Sequence, residues 1–176
     1  VQWMTAGGGI LHEEFHSEAF ARSGGMFEVA QLWVNLPKRH KGAPAGYQSI
    51  LNADIPDVAL ADGAGRLRVI AGAYGEAEGA ARTFTPMNIW DVRLNAGKST
   101  DLVLPEGHAL AVVVLQGTIQ FNDAAVARAG QTVTFARSGG AIRVEANGEA
   151  KLLVLSGEPI DEPVAAHGPF VMNTFD

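Results

Sequence analysis

The sequence predicts an all-β protein, and three observations carry that prediction. Strand-like segments recur at short spacing from Asp57 onward, turn residues separate them, and no helical period is sustained among them. Apolar residues make up 47% of the 176 residues, which is enough to fill a core. Short strands spaced in this way are typical of a β-sandwich or a β-barrel.

Eight strands are predicted after Asp57, each an apolar or alternating run that ends at a turn residue. They are Leu67–Tyr74, Met87–Leu94, Asp101–Leu104, Ala109–Gln116, Thr118–Phe121, Thr132–Phe135, Ile142–Ala146 and Lys151–Ser156. The nearly continuous apolar run Ala109–Gln116 predicts a strand that is covered on both faces. Asn147-Gly148 is the strongest hairpin signal in the chain, because an Asn-Gly pair suits a type I′ turn.

The first third of the chain also contains strand patterns. We predict strands at Gln2–Thr5, Ile10–Glu14 and Glu28–Leu36, the last with Trp33 in the core. Phe15–Phe27 is predicted to be a loop with one helical turn. Three glycines after Ala6 separate the first two strands, and they allow the backbone to pass close to something bulky, such as a metal pocket.

His12 and Glu14 are the candidate site residues. Two residues apart on a strand, they would point to the same face, where an imidazole and a carboxylate can hold a first-row metal. The spacing alone also suits a solvated strand face. His16, four residues after His12, is predicted to be a solvent-exposed loop histidine.

Composition excludes several classes of function. A net charge of −6 and the absence of a basic cluster, apart from Lys38-Arg39-His40-Lys41, argue against nucleic-acid binding. We interpret that basic run as a solvated loop. The absence of cysteine excludes disulfide scaffolds, thiolate metal sites and cysteine nucleophiles. The longest apolar run is too short to cross a membrane, and we expect a cytoplasmic protein.

Several segments together resemble the pirin family, whose members are bicupin proteins. The first is Gln2–Glu14, with the letters QWMTAGGGILHEE, and the others follow it in order. They are Gln31–Pro37, Tyr47-Gln48, Ser156–Val164 and Gly168–Thr174. The resemblance spans nearly the whole chain and implies an all-β bicupin, which consists of two β-barrel cupin domains.

The resemblance also implies a domain division and a metal site. Residues 1–53 would be the C-terminal part of the first, metal-binding barrel, which is incomplete here. Residues 54–176 would form the second barrel and a tail that packs back on the first. His12 and Glu14 correspond to two of the four metal ligands of the family. The other two are histidines of an upstream His-x-His segment, which this sequence lacks. We therefore expect a chain that is truncated at both ends and carries half a site.

The function implied by the resemblance is that of a metal-dependent dioxygenase. A mononuclear metal, most plausibly iron, with manganese, nickel, copper or zinc as alternatives, would be held by three histidines and one glutamate. A flavonol such as quercetin would bind it, Glu14 would accept the hydroxyl proton, and O2 would open the ring with release of carbon monoxide. The alternative is a redox-sensitive, metal-binding regulator that acts through protein partners without catalysis.

The second barrel is predicted to carry no metal. Its one clear histidine, His108, follows Pro105-Glu106-Gly107, and these residues predict a turn rather than a strand face that could hold ligands.

Overall fold

The structure is a computed structural model, and it describes residues 1–175. The described residues contain one α-helix, α1 (Glu18–Ser23), and 3-10 helices at Lys38–His40, Asn52–Asp54 and Ala61–Gly63. The strands are β1 (Gln2–Thr5), β2 (Gly46–Ser49), β3 (Asp57–Ala59), β4 (Gly65–Ala71), β5 (Ala73–Tyr74), β6 (Ala77–Glu78), β7 (Met87–Leu94), β8 (Ser99–Val103), β9 (Ala109–Gln116), β10 (Thr118–Phe121), β11 (Ala125–Arg128), β12 (Thr132–Phe135), β13 (Ala141–Ala146), β14 (Ala150–Gly157), β15 (Ala165–His167) and β16 (Phe170–Met172). The fold is all-β, as predicted.

Two antiparallel sheets account for most of these strands. One has six strands in the order β12-β9-β14-β7-β4-β3, and the other has four in the order β11-β10-β13-β8. In the larger sheet, β14 lies between β7 and β9, with Leu152 opposite both Val92 and Val114. Residues distant in sequence therefore meet at the centre of the sheet.

The main core lies between these two sheets. Leu152 and Val154 of β14 pack there with Trp90 and Val92 of β7, and all four are almost fully buried. Burial of each such side chain contributes roughly 1.5–3 kcal/mol. A second cluster on the opposite face of the larger sheet includes Leu153. β14 is therefore covered on both faces, which explains its apolar run.

The predicted strand bounds agree closely with this sheet structure. Met87–Leu94, Ala109–Gln116, Thr118–Phe121 and Thr132–Phe135 are strands with those bounds, and three others differ by one or two residues. Clear turn residues flank these segments. The short strands β3, β11, β15 and β16 were not predicted.

The prediction of one strand over Leu67–Tyr74 was wrong. The strand ends at Ala71, and β5 begins a separate hairpin with β6. Gly72 lies between them with φ 76°, and a Cβ there would overlap the Met87 carbonyl oxygen and the Asn88 side chain. Only glycine fits this close approach.

The prediction of a hairpin at Asn147-Gly148 was also wrong. β13 pairs with β8 and β10, whereas β14 pairs with β7 and β9, so the turn carries the chain from one sheet to the other. Neither turn residue has the positive φ that a type I′ turn requires. Asn122 and Asp123 do have it, at 50° and 55°, and they join the paired strands β10 and β11.

Two predicted strands near the start of the chain are absent from the described residues. Ile10–Glu14 and Glu28–Leu36 have no regular secondary structure, although β1 and the helical turn predicted within Phe15–Phe27 are present. Trp33, predicted to be in the core, is 67% exposed. A strand needs a neighbouring strand for its N–H and C=O groups, and no strand among the described residues pairs with either segment.

The chain divides into two compact units. One comprises residues 1–3 and 48–160 and contains both large sheets and both clusters. The other comprises residues 4–47 and the chain from residue 161 onward. No helix among the described residues is long and apolar enough to span a membrane.

Candidate metal site

The segment before the candidate ligands begins with β1 and a glycine turn. The Gly9 amide donates to the Ala6 carbonyl over 3.0 Å, which closes the turn. Gly7 has φ 57°, and a Cβ there would overlap the carbonyl oxygen of Ala43. The glycine therefore allows close approach, as predicted, but to the backbone of a neighbouring loop rather than to a metal pocket.

His12 and Glu14 both lie on the exposed stretch that follows this turn. Neither is in a strand, both side chains are exposed, and Leu11, which directly precedes His12, is fully exposed. Neither makes a hydrogen bond or ion pair within the described residues. The strand expected to align the two side chains on one face is absent, because the described chain supplies no neighbour to hold it extended.

His16 packs in a small aromatic group. Its ring centroid lies 5.7 Å from that of Phe20 and 6.2 Å from that of Phe27, and the two phenylalanines lie 5.3 Å apart. Phe20 is on α1, which Ser17 caps through its hydroxyl. His16 is exposed, as predicted, but its ring contacts apolar neighbours as well as solvent.

The residues present do not fit a complete metal site. No group of three or more histidine, aspartate or glutamate side chains among the described residues could hold a metal ion. A mononuclear site that keeps its metal against water normally uses at least three protein ligands. His12 and Glu14 alone do not meet that requirement.

The basic run that was interpreted as a solvated loop is partly buried. Lys41 is 9% exposed, and its Nζ donates to the carbonyl of Val171 over 2.8 Å and to the Asn35 side chain. Burial lowers the pKa of Lys41, and the carboxylate of Glu162 partly offsets this effect. The interpretation missed this burial because the acceptor at Val171 is 130 residues away in the sequence.

Glu162 connects the same loop to the end of the chain. Its Oε2 accepts from the Lys38 amide over 2.6 Å and from Asn173 Nδ2 over 3.1 Å. These bonds and those of Lys41 join residues 35–41 to residues 162–173 within one compact unit.

His108, predicted to lie in a turn, directly precedes β9 and is half-buried. Its Nδ1 lies 3.2 Å from the Oγ of Ser156, which is 6% exposed. No role was predicted for Ser156. Its position two residues after Val154 and four after Leu152 would have predicted that its side chain faces the core with theirs.

Residues 89–176 match the sequence profile described as the pirin C-terminal cupin domain, which covers half of the chain. The chain belongs to the pirin family. A crystal structure of quercetin 2,3-dioxygenase from Acinetobacter baumannii is similar to the chain, with 50% identity and a TM-score of 0.96. It matches over 99% of this chain and 60% of its own. The cupin fold and the family predicted from the sequence are thereby confirmed.

Curated relatives in the family include bacterial and plant proteins. A Pseudomonas aeruginosa protein named "Putative quercetin 2,3-dioxygenase" is 55% identical over 174 residues, which are 99% of this chain and 60% of that protein. A pirin-like protein of Caulobacter vibrioides is 37% identical, and Pirin-1 of Arabidopsis thaliana is 33% identical. These two matches also cover 99% of this chain, with 61% and 60% of the relatives. The chain therefore spans about three fifths of the length of these relatives.

Proposed function

We propose that this chain is part of a metal-dependent dioxygenase that opens flavonols such as quercetin with O2. The observation that carries the proposal is the 55% identity to the Pseudomonas aeruginosa relative, sustained over 99% of the chain. The structure of quercetin 2,3-dioxygenase from Acinetobacter baumannii supports it with a close match in backbone geometry. Identity at this level over such a length favours shared chemistry over shared fold alone.

We propose His12 and Glu14 as two ligands of an iron site, with manganese, nickel, copper or zinc as alternative metals. The remaining ligands would be histidines from outside this sequence. Glu14 would also accept the hydroxyl proton of the flavonol. Two observations support the proposal. Both side chains are accessible, and neither makes a hydrogen bond or an ion pair within the described residues.

The domain division proposed with this function places residues 1–53 in a metal-binding first barrel and residues 54–176 in a second barrel with its tail. Exposed apolar side chains support the incomplete first barrel. Leu11, Met26 and Trp33 are 101%, 93% and 67% exposed. Large apolar side chains left exposed in this number within one segment are typical of a surface on which other protein packs.

The test uses the full-length protein, loaded with ferrous iron and given quercetin and O2. Loss of flavonol absorbance, O2 uptake and carbon monoxide release are measured together, and bound iron is measured by elemental analysis. Glu14→Gln and His12→Ala are expected to lower turnover at least a hundredfold, because each removes a ligand. His16→Phe is the matched control, since it retains a ring against Phe20 and is expected to keep full activity.

Two results would contradict parts of this proposal. Full turnover in both His12→Ala and Glu14→Gln would show that these residues are not metal ligands. Stoichiometric iron without turnover of any flavonol would instead favour the alternative, a metal-binding regulator that acts through protein partners.

A further inference from the structure

Two polar side chains interrupt the apolar inner face of the larger sheet at one end. Asn88 on β7 and Ser156 on β14 are direct cross-strand partners, and they are 8% and 6% exposed. Strand alternation places them on the same face as Trp90 and Val154, which lie in the main core. Buried polar groups carry a desolvation cost unless they are hydrogen-bonded, and the Oδ1 of Asn88 accepts from the Ala73 amide over 3.0 Å.

His108 joins this pair from the loop that leads into β9. Its Nδ1 lies 3.2 Å from Ser156 Oγ. A neutral imidazole can present either a donor or an acceptor at each nitrogen, and a hydroxyl can do both. The His108–Ser156 pair can therefore change its donor and acceptor roles to suit a hydroxyl group on a bound molecule.

A cavity of about 150 Å³ lies beside the pair. Its walls include the apolar side chains of Leu110, Phe135 and Ile142, with His108 and Ser156 as polar groups. Asn122, Ser138 and the glycines 139 and 140 complete a wall that is partly open to solvent. The volume is close to that of an apolar cavity that accommodates one benzene ring. A more open depression of about 380 Å³ shares Pro105 and His108 with it and includes Asn88 in its wall.

The charges near the cavity favour a neutral occupant. No lysine or arginine is among its lining residues in the described chain. The Glu106 carboxylate lies beside the lining loop, with Oε1 3.5 Å from the amide nitrogen of Gly139. Glu78 is part of the wall of the open depression. The wall itself therefore offers an anion no cationic partner, and the Glu106 carboxylate lies close to it. Arg137 lies in the sequence between the wall residues Ala136 and Ser138 but is not part of the wall.

We propose that this end of the larger sheet is a binding site for a small neutral phenol, with the ring against Leu110, Phe135 and Ile142 and the hydroxyl on His108 and Ser156. The site contains neither His12 nor Glu14 and does not depend on the metal. It is a binding site rather than a catalytic one, since no chemical step is assigned to the pair.

The test titrates phenol into the ¹⁵N- and ¹³C-labelled full chain. Shift changes are expected at Ser156, Ile142 and Gly139, with contacts between phenol ring protons and the methyl groups of Leu110 and Ile142. For a ligand of this size, the dissociation constant is expected to be on the order of a millimolar or below. Benzene tests the role of the hydroxyl and benzoate tests the preference for a neutral ligand. Each is expected to bind at least about fivefold more weakly than phenol.

Two variants and one control distinguish the contribution of the polar contacts from non-specific binding of phenol. Ser156→Ala and His108→Leu are each expected to weaken phenol binding about fivefold to tenfold. Thr132→Ala, an exposed strand position that is not in the cavity wall, is expected to leave it unchanged. The methyl contacts in the unmodified chain need no variant, so they test the site even if a variant fails to fold. The proposal is overturned if phenol makes no such contacts, if both folded variants bind as well as the original chain, or if benzoate binds as tightly as phenol.

Discussion

β9 and the segment Glu28–Leu36 carry similarly apolar sequences but have different structures. Val112 and Val114 of β9 are fully buried, and the strand is paired on one side with β12 and on the other with β14. Val29 and Trp33 are 71% and 67% exposed, and their segment has no regular structure. An apolar pattern therefore leads to a strand only where the chain also supplies partners for its backbone.

Amide hydrogen exchange provides the largest expected contrast between the two regions. Amides in β9, β12 and β14 are expected to exchange about a thousandfold or more slowly than those of residues 10–36, because the strands open only on global unfolding. Exchange followed by mass spectrometry on peptide fragments measures this ratio. Equal protection of Ile10–Glu14 would mean that this segment has a partner not present in the described residues.

Two matched leucine substitutions compare the regions energetically. Leu152→Ala is expected to lower the free energy of unfolding by about 2–5 kcal/mol, because Leu152 is fully buried between the sheets. Leu32→Ala is expected to change it by less than about 0.5 kcal/mol, since Leu32 is 40% exposed. Urea unfolding followed by circular dichroism gives both values. If Leu32→Ala lowered the free energy of unfolding as much as Leu152→Ala, residues 28–36 would be packed in solution.

Metal binding tests whether His12 and Glu14 suffice to hold a metal in this chain. The 176-residue chain alone is expected to bind ferrous iron weakly or not at all, because two protein ligands leave most coordination positions to water. Isothermal titration calorimetry with ferrous iron, with His12→Ala as the reference, tests this. Tight stoichiometric binding that survives chelator would mean that a further residue of this chain completes the site.

Lys41 offers a smaller effect that varies with pH. Its pKa is lowered in the folded chain from an ordinary value of 10.5, so the folded state binds the proton less readily than the unfolded state. The charged form therefore carries a cost at neutral pH, and stability is expected to rise as the pH increases through the lowered pKa toward 10.5. We expect this gain to be small, because the carboxylate of Glu162 opposes the effect of burial.

Urea unfolding between pH 7 and pH 10, followed through the methyl resonances of Val171, measures this gain. Lys41→Met is expected to abolish the increase in the free energy of unfolding with pH. Lys38→Met, at an exposed position in the same loop, is expected to leave that increase unchanged. An unchanged slope in Lys41→Met would assign the pH dependence to another group.

Much of the compact unit that contains both large sheets could be predicted from the sequence, because its signals are local. Clear turn residues flank Met87–Leu94 and Ala109–Gln116, and each run is long enough to show its period, so the bounds were predicted to the residue. The pirin-like segments identified the family for the same reason, since each is a contiguous stretch. His12 and Glu14 were named from such a stretch, and their roles stay a prediction.

Only the tertiary structure decided which strands pair and which polar groups meet. Asn147-Gly148 has the local chemistry of a hairpin but connects two sheets, because pairing depends on partners elsewhere in the chain. The buried Lys41 side chain donates to a carbonyl that is 130 residues away in the sequence. His108 and Ser156, which lie within hydrogen-bond distance, are separated by 48 residues. Local sequence determines the conformational preference of a segment, whereas burial and hydrogen bonding between distant segments depend on the whole fold.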